Sequence, residues 1–194
     1  TGELMVCLII NGQDLPHQKE LIEKLREIPG MTSISLNINR EKTNVILGRK
    51  GKLLWGQEYI TDTIGPIAYQ ISPQSFYQVN PVQTEILYQT AIDYAGLTGK
   101  ETVIDAYCGI GTIGLIAAKK AGKVIGVELN KDAVKDARIN AKENKITNAA
   151  FYQGDAGRFM VEMAAKGEKA DVVFMDPPRA GSDERFLSSV VKLS

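Results

Sequence analysis

Apolar and polar residues in the first part of the chain, as far as about Ile71, follow the periods of one helix and several short strands. Ile34, Leu36 and Ile38 alternate with polar neighbours, which predicts a strand with one face in solvent. The pattern predicts a helix at Pro16–Ile28 and strands at Glu3–Ile10, Ser33–Asn39, Asn44–Leu47 and Leu53–Trp55. We therefore expect a small α+β domain over residues 1–72.

From Pro81 onward, helical and strand patterns alternate with short connections between them. Strands separated by helices are typical of a doubly wound α/β domain with a parallel sheet. The predicted elements are helices at Val82–Ala95, Thr112–Ala121, Lys131–Asn144 and Ala156–Ala165, and strands at Thr102–Asp105, Lys123–Val127, Ala149–Gln153 and Asp171–Met175. We assign residues 73–194 to this domain and expect only four strands of its sheet.

Both ends of the chain suggest a piece of a longer protein. An apolar strand follows Thr1 almost at once, and Val190–Ser194 ends within an apolar pattern. If Asp171–Met175 is the last strand present, its outer edge has unpaired backbone donors and acceptors. We therefore expect self-association through this strand or a disordered C-terminal segment.

The composition is that of a globular protein. Hydrophobic residues make up 44% and charged residues 24%, with no run long enough to cross a bilayer, which excludes disordered, collagen-like and membrane-spanning classes. Lys plus Arg and Asp plus Glu each number 23, so a nucleic acid would need a local basic patch. The one basic cluster that stands out is Arg49–Lys52, which we expect in a hairpin turn. Cys7 and Cys108 form neither a disulfide framework nor a complete metal site, which favours a reducing cytoplasm.

A glycine-rich turn follows the first strand of the α/β domain. Gly109, Gly111 and Gly114 form a G-x-G-x-x-G pattern, and Glu128 ends the next strand at the distance expected of a ribose-binding acid. A nicotinamide dinucleotide is one ligand that this pattern fits. Asp105, however, is expected at the mouth of the turn, where its carboxylate would repel a pyrophosphate. S-adenosylmethionine carries an ammonium and a sulfonium and no phosphate, so we favour it as the cofactor.

Two further acidic positions follow strands of the same predicted sheet. Asp155 would complete the pocket near the adenine, and it fits equally well as the N-cap of the next helix. Asp176 opens the segment Asp176–Arg179, in which two prolines stiffen the backbone and withhold two amide donors. A rigid loop with an acid and a base at this edge of the sheet is typical of a functional site.

Three segments together resemble the motifs of the uracil-5 RNA methyltransferases, the enzymes that make 5-methyluridine in transfer and ribosomal RNA. They are Phe76–Asn80, Asp105–Gly111 and Asp176–Arg179, in this order along the chain. The resemblance covers essentially the whole chain. It implies a Rossmann-like S-adenosylmethionine-dependent methyltransferase sheet, truncated after its fourth strand and preceded by a small α+β domain. It also implies an RNA substrate, for which we favour ribosomal RNA, with transfer RNA as the alternative.

The resemblance assigns roles to individual side chains. Glu128 would hold the ribose hydroxyls, Tyr107 would line the methionine end, and Gln78 and Asp176 would lie where the cofactor meets the target base. Arg179 would contact RNA. The cofactor site expected from both arguments consists of Gln78, Asp105, Tyr107, Gly109, Gly111, Glu128, Asp155 and Asp176.

The chemistry at C5 of uracil needs a Cys nucleophile and a base, because C5 is a poor nucleophile until a thiolate adds to C6. The resemblance implies that this Cys and a Glu base lie beyond Ser194, so we expect no catalytic residue in this chain. Cys108 lies within the glycine turn and is expected to face the fold. The chain would then bind the cofactor without turnover. A nicotinamide-dependent oxidoreductase and a non-enzymatic cofactor- or RNA-binding module remain the alternative interpretations.

Overall fold

The computed structural model describes residues 1–43 and 45–193, which form two compact units. The first unit takes in residues from 1–62 together with 70–74, and the second takes in 63–69 and the residues from 75 onward. Each unit has its own sheet. The boundary between residues 72 and 73 stays a prediction.

The first unit is built on a three-stranded sheet with one helix. Its elements are β1 (Leu4–Ile10), α1 (Gln18–Arg26), β2 (Met31–Ile38) and β3 (Lys50–Gly56). The strand order is β1-β2-β3, with β1 parallel and β3 antiparallel to β2. Because β2 is central, Ser33, Ser35 and Asn37 are buried like Ile34 and Leu36, and the expected solvent face of this strand is wrong. The Asn37 amide satisfies its polar atoms by accepting from Gly48 N at 2.6 Å and donating to Gly48 O at 3.0 Å.

The segment between β2 and β3 differs from the sequence prediction. Of the expected strand Asn44–Leu47, Asn44 lies outside the described residues, and residues 45–47 form no strand. The Asn39 side chain donates to Val45 O at 2.7 Å and Ile46 O at 2.9 Å, so a side chain rather than a neighbouring strand pairs with these carbonyls. The basic segment Arg49–Lys52 does not form a turn, because β3 already begins at Lys50.

A short two-stranded sheet, which the sequence pattern did not delimit, follows β3. It consists of β4 (Ile60–Ile64) and β5 (Ile67–Ile71). The second unit then contains the α/β part of the chain: α2 (Pro81–Ala95), β6 (Thr102–Ala106), α3 (Thr112–Ala117), β7 (Lys123–Glu128), α4 (Lys131–Glu143), β8 (Ala149–Gln153), α5 (Ala156–Ala165), β9 (Val172–Met175) and α6 (Glu184–Leu193).

The sheet of the second unit is parallel throughout, with strand order β8-β7-β6-β9. The chain builds outward from β6 through β7 to β8 and then returns to the other side of β6 with β9. The order therefore reverses between β6 and β9, and ligands of such sheets bind beyond the carboxyl ends of the strands at this switch point. The predicted α/β fold with a four-stranded parallel sheet is confirmed.

The end of the described chain is a helix. In α6, Phe186 and Leu193 are fully buried, and Leu193 O accepts from Ala170 N at 2.9 Å. Asp183 Oδ1 accepts from Phe186 N at 2.8 Å and so caps the first turn. The expected disordered C-terminal segment is therefore wrong as far as Leu193. Self-association through the edge strand β9 stays a prediction.

Gly126 in β7 is a packing requirement of this sheet. A Cβ at this position would approach Phe151 Cε1 to 2.6 Å and Cys108 Sγ to 3.0 Å. We expect Gly126→Ala to lower the free energy of unfolding by about 1–3 kcal/mol, because the buried Phe151 ring has to shift. Urea denaturation measures the change.

Gly154, just after β8, is the matched control, because a Cβ there meets no atom within 4 Å. Gly154→Ala should change the stability by less than about 0.5 kcal/mol. Equal losses for the two variants would show that the crowding at Gly126 is not the cause.

Candidate functional site

The turn between β6 and α3 has a left-handed backbone at three positions, with φ of 63° at Tyr107, 54° at Gly109 and 82° at Gly111. Glycine is required at 111, because a Cβ would lie 2.9 Å from the Cζ atom of Phe151. Open space surrounds the Cβ direction of Gly109 instead, which leaves room for a ligand against the backbone.

Tyr107 holds a conformation that is unfavourable for a residue with a side chain. Its hydroxyl is 3.0 Å from Ser182 Oγ, and its ring packs against Phe186 with 5.7 Å between centroids. These contacts tie the turn after β6 to the segment after β9. Tyr107 therefore lies at the switch point of the sheet.

Glu128, the last residue of β7, is hydrogen-bonded to the backbone of the glycine turn that follows the neighbouring strand. Its Oε2 accepts from Gly109 N at 3.1 Å, and its Oε1 accepts from Asn130 N at 2.7 Å. The side chain is partly exposed. Since each carboxylate oxygen has two acceptor positions, Glu128 retains capacity for hydroxyl donors of a ligand.

Asp105 lies beneath the turn rather than at its mouth. It is only 2% exposed, and its Oδ2 accepts from Gly114 N at 2.8 Å in the first turns of α3. The pKa of its carboxyl is raised to about 7, chiefly by burial and also by the charges of Asp176 and Glu128, whereas the hydrogen bond from Gly114 N opposes the shift. The expected open carboxylate is therefore wrong, because the sheet register directs this side chain into the interior.

Asp176 and Arg179 are both exposed and follow β9 at the same edge of the sheet. The Asp-Pro-Pro-Arg segment closes into a turn in which Gly181 N donates to Pro178 O at 2.7 Å. Asp105 in β6, Glu128 in β7 and Asp176 just after β9 thus come from three neighbouring strands of the sheet. The charges of Asp176 and Glu128 both contribute to the raised pKa of Asp105. Such an arrangement favours a cationic ligand.

A buried tyrosine, which the sequence analysis did not select, joins Gln78 to this site. The Tyr88 hydroxyl is 3.2 Å from Thr112 Oγ1 and is also hydrogen-bonded to the Gln78 side chain. Burial raises the pKa of Tyr88, and the charges of Asp176 and Asp105 add to the shift. The sequence provided little indication of this role, because the apolar pattern predicts Tyr88 only as a core residue of α2.

Asp155 is the N-cap of α5, and its Oδ1 accepts from Arg158 N at 2.8 Å. This is the second of the two roles that the sequence left open, and a contact of Asp155 with the cofactor stays a prediction. Cys108 is 3% exposed, and burial raises the pKa of its thiol, with the charges of Asp105 and Glu128 in the same direction. A buried thiol that is held protonated is a poor nucleophile.

Metal and membrane features are absent from the part of the chain that the structure describes. Across residues 1–43 and 45–193, no group of three or more His, Cys, Asp or Glu side chains could hold a metal ion. Over the same residues, no helix combines the length and apolarity needed to cross a bilayer. A cytoplasmic location stays a prediction.

Known proteins resemble the chain both in sequence and in structure. Residues 97–189 match a family described as a methyltransferase domain. An uncharacterized RNA methyltransferase of Halalkalibacterium halodurans is 53% identical over the whole chain, which covers 42% of that protein. A protein of the same description from Caldanaerobacter subterraneus is 51% identical, with the whole chain covering 43% of it. The chain thus spans less than half the length of these relatives.

Two solved structures show the same fold. The tRNA (uracil-54, C5)-methyltransferase of Pyrococcus abyssi, in complex with S-adenosyl-L-homocysteine, matches 98% of the chain with a TM-score of 0.75 and 28% identity, and the chain covers 44% of it. Trm5b of Pyrococcus abyssi matches 97% with a TM-score of 0.64 and 20% identity, and 54% of it is covered. The second unit therefore has the Rossmann-like fold of S-adenosylmethionine-dependent methyltransferases. These likenesses favour a methyltransferase over the nicotinamide alternative.

Proposed function

We propose that this chain is the cofactor-binding part of an RNA methyltransferase that transfers the methyl group of S-adenosylmethionine to C5 of a uridine. The observation that carries the proposal is the acidic character of the switch point, where Glu128 ends β7 and Asp176 follows β9, with Asp105 buried beneath the glycine turn between them. Burial and the charges of Asp176 and Glu128 make the ionised form of Asp105 unfavourable without a cation. A ligand with positive charges relieves the repulsion, and a pyrophosphate adds to it.

S-adenosylmethionine is the cofactor that the matched domain and the S-adenosylhomocysteine complex imply. The residues present fit it. No side chain fills the space over Gly109, so the cofactor can lie close against the backbone of the glycine turn. Glu128 would accept from the ribose hydroxyls, and Tyr107 would line the methionine end. Gln78 and Asp176 would lie where the cofactor meets the target base. When bound, the cofactor supplies an electrophilic methyl group.

The narrower assignment to C5 of uridine rests on the three motifs named above and on the likeness to the Pyrococcus abyssi enzyme. The nucleophilic Cys and the Glu base would then follow Ser194, and this chain would hold and orient the cofactor. Arg179, exposed beside Asp176, would contact the RNA near the target base. Ribosomal RNA is our preferred substrate class, and transfer RNA is the alternative.

Calorimetry on the 194-residue chain tests the cofactor assignment. We expect S-adenosylhomocysteine to bind with a 1:1 stoichiometry and NAD to give no heat at the same concentration. Binding of NAD and not of S-adenosylhomocysteine would overturn the proposal.

The position of methylation is tested with the full-length protein that contains this chain. Incubation with S-adenosylmethionine and separate pools of ribosomal and transfer RNA, followed by nucleoside mass spectrometry, should give 5-methyluridine in one of the two pools. A methylated base or ribose other than 5-methyluridine would refute the assignment to C5.

A further inference from the structure

The cations of α4 lie on one face of the helix. Lys131, Lys135, Arg138 and Lys142 are separated by four, three and four residues, and Lys145 follows three residues later. At 3.6 residues per turn this spacing places the four cations of α4 in a single row, and Lys145 lies just beyond the end of the helix. All five side chains are exposed, and we call them the basic stripe.

The acidic residues of α4 lie on another face. Asp132 and Asp136 each follow a lysine by one residue, and Glu143 follows Lys142, so a rotation of about 100° separates each acid from the stripe. Asp136 is also 9% exposed and accepts from Ser75 Oγ at 2.8 Å. A chain with zero net charge thus has a row of positive charge with no acidic side chain of this helix in it.

The basic stripe begins at the candidate site. Lys131 comes three residues after Glu128, whose carboxylate accepts from Asn130 N at the start of α4. From Lys131 to Lys142 the helix rises by about 17 Å, at about 1.5 Å per residue. The stripe therefore leads away from the carboxyl edge of the sheet over a length that several consecutive phosphates of a nucleic acid strand can occupy.

A groove lies between the basic stripe and the edge strand β8. Its cavity volume is about 470 Å³, and Arg138, Lys142 and Lys145 line it together with Ala149–Tyr152. The Arg138 guanidinium donates to Phe151 O from Nε at 3.0 Å and from Nη2 at 2.6 Å, so its charge is fixed at the groove.

Tyr152, a lining residue of the groove, carries an exposed aromatic ring at the open edge of β8, on the side of the sheet that α5 covers. It is 47% exposed and stacks on Phe159 with 5.9 Å between ring centroids, which fixes its ring. Surfaces that bind single-stranded nucleic acid combine a row of cations for the backbone with aromatic rings on which bases stack.

We infer that the basic stripe and Tyr152 bind a single-stranded segment of RNA, with the stripe on consecutive phosphates and Tyr152 stacked on a base. The inference rests on the proposed function for the identity of the partner and adds the place where the RNA lies. Arg49–Lys52, the cluster that the sequence singled out, is not part of this surface.

Fluorescence anisotropy with a labelled 12-nucleotide oligouridylate tests the inference on the 194-residue chain. The double variant K135Q/K142Q removes two charges from the stripe, and K19Q/K24Q removes two exposed lysines from α1 as the matched control. With a salt slope of about −0.7 per phosphate contact for single strands, the stripe variant should bind about 25-fold more weakly at 0.1 M salt and lose about 1.4 from its slope. The control should keep both values.

The variant Tyr152→Leu distinguishes the contribution of base stacking to RNA binding from the contribution of charge. We expect about tenfold weaker binding with an unchanged salt slope, because stacking contributes about 1–3 kcal/mol per base. Equal losses for the stripe variant and the α1 control, or no binding of oligouridylate by the unaltered chain at 50 mM salt, would overturn the inference. Competition by poly-glutamate as strong as competition by RNA would do so as well, because it would indicate a surface for acidic proteins.

Calorimetry with S-adenosylhomocysteine distinguishes this inference from the proposed function. The stripe and Tyr152 variants should keep the cofactor affinity of the unaltered chain. Loss of RNA binding with normal cofactor binding supports the stripe, whereas normal RNA binding without any cofactor binding would contradict the proposed function alone.

Discussion

Replacing Glu128 by alanine is expected to weaken S-adenosylhomocysteine binding about 100-fold. Two hydrogen bonds from ribose hydroxyls to a carboxylate contribute about 3 kcal/mol together, which corresponds to that factor. The substitution also leaves Gly109 N and Asn130 N without the acceptor that now holds them at 3.1 and 2.7 Å. The turn would then have to be ordered when the ligand binds. Calorimetry measures the affinity.

Two further variants accompany this measurement: Glu128→Gln as a conservative substitution and Glu143→Ala as the control. Glutamine keeps one acceptor oxygen and loses the charge, so an intermediate affinity is expected. Glu143, exposed at the end of α4, reports on the loss of a carboxylate elsewhere on the same unit. An unchanged affinity in Glu128→Ala would place the ribose elsewhere, and a loss in Glu143→Ala would show a nonspecific charge effect.

Asp105 is expected to make the chain less stable as the pH rises from about 4 to about 7. Its folded pKa of about 7 lies above the usual value of 3.8, so within this range the unfolded chain has lost the proton that the folded chain still binds. The free energy of unfolding therefore falls with pH in this window and is level above it. A shift of about 3 pKa units corresponds to about 4 kcal/mol.

Asp105→Asn isolates this contribution, since asparagine keeps an acceptor for Gly114 N and does not titrate. The difference in unfolding free energy between the variant and the unaltered chain should grow by about 4 kcal/mol in favour of the variant between pH 4 and pH 7. Asp14→Asn, at an exposed position of the first unit, is the matched control for the loss of a carboxyl group. A level difference for Asp105→Asn would mean that the carboxyl ionises normally.

Because its pKa is raised, Asp105 should also couple cofactor binding to the release of a proton. A cationic ligand beside the three carboxylates favours the ionised form of Asp105, so a proton should be released when S-adenosylmethionine binds near pH 6. Calorimetry in buffers with different ionisation enthalpies counts this proton. Asp105→Asn should abolish the release.

The sequence predicted the α/β part of the chain well, because the strand and helix patterns there lie within short continuous segments. In β8 and α5 the observed bounds Ala149–Gln153 and Ala156–Ala165 equal the predicted ones, because strand and helix periods are strong there. The helix α6 was missed. Its buried residues Phe186 and Leu193 have partners in α5 and before β9 that only the folded chain brings together.

The candidate site was likewise predicted in part. The spacing of Asp105, Glu128 and Asp176 placed them at the ends of strands, and the sheet order brings these three strands side by side. The burial of Asp105 could not be predicted, because it depends on which face of the sheet α3 covers. The basic stripe was overlooked for another reason: its cations are spread over residues 131–145, and only helical geometry brings the four of α4 into a row.

The glycine turn is already fixed at both of its ends, by Asp105 at Gly114 and by Glu128 at Gly109. A recognition loop that is ordered before its ligand arrives loses little conformational entropy on association. The glycine turn thus loses its conformational entropy when the chain folds, before the ligand binds. A substitution that loosens the anchor at Asp105 would raise the dissociation constant without removing any direct contact to the ligand.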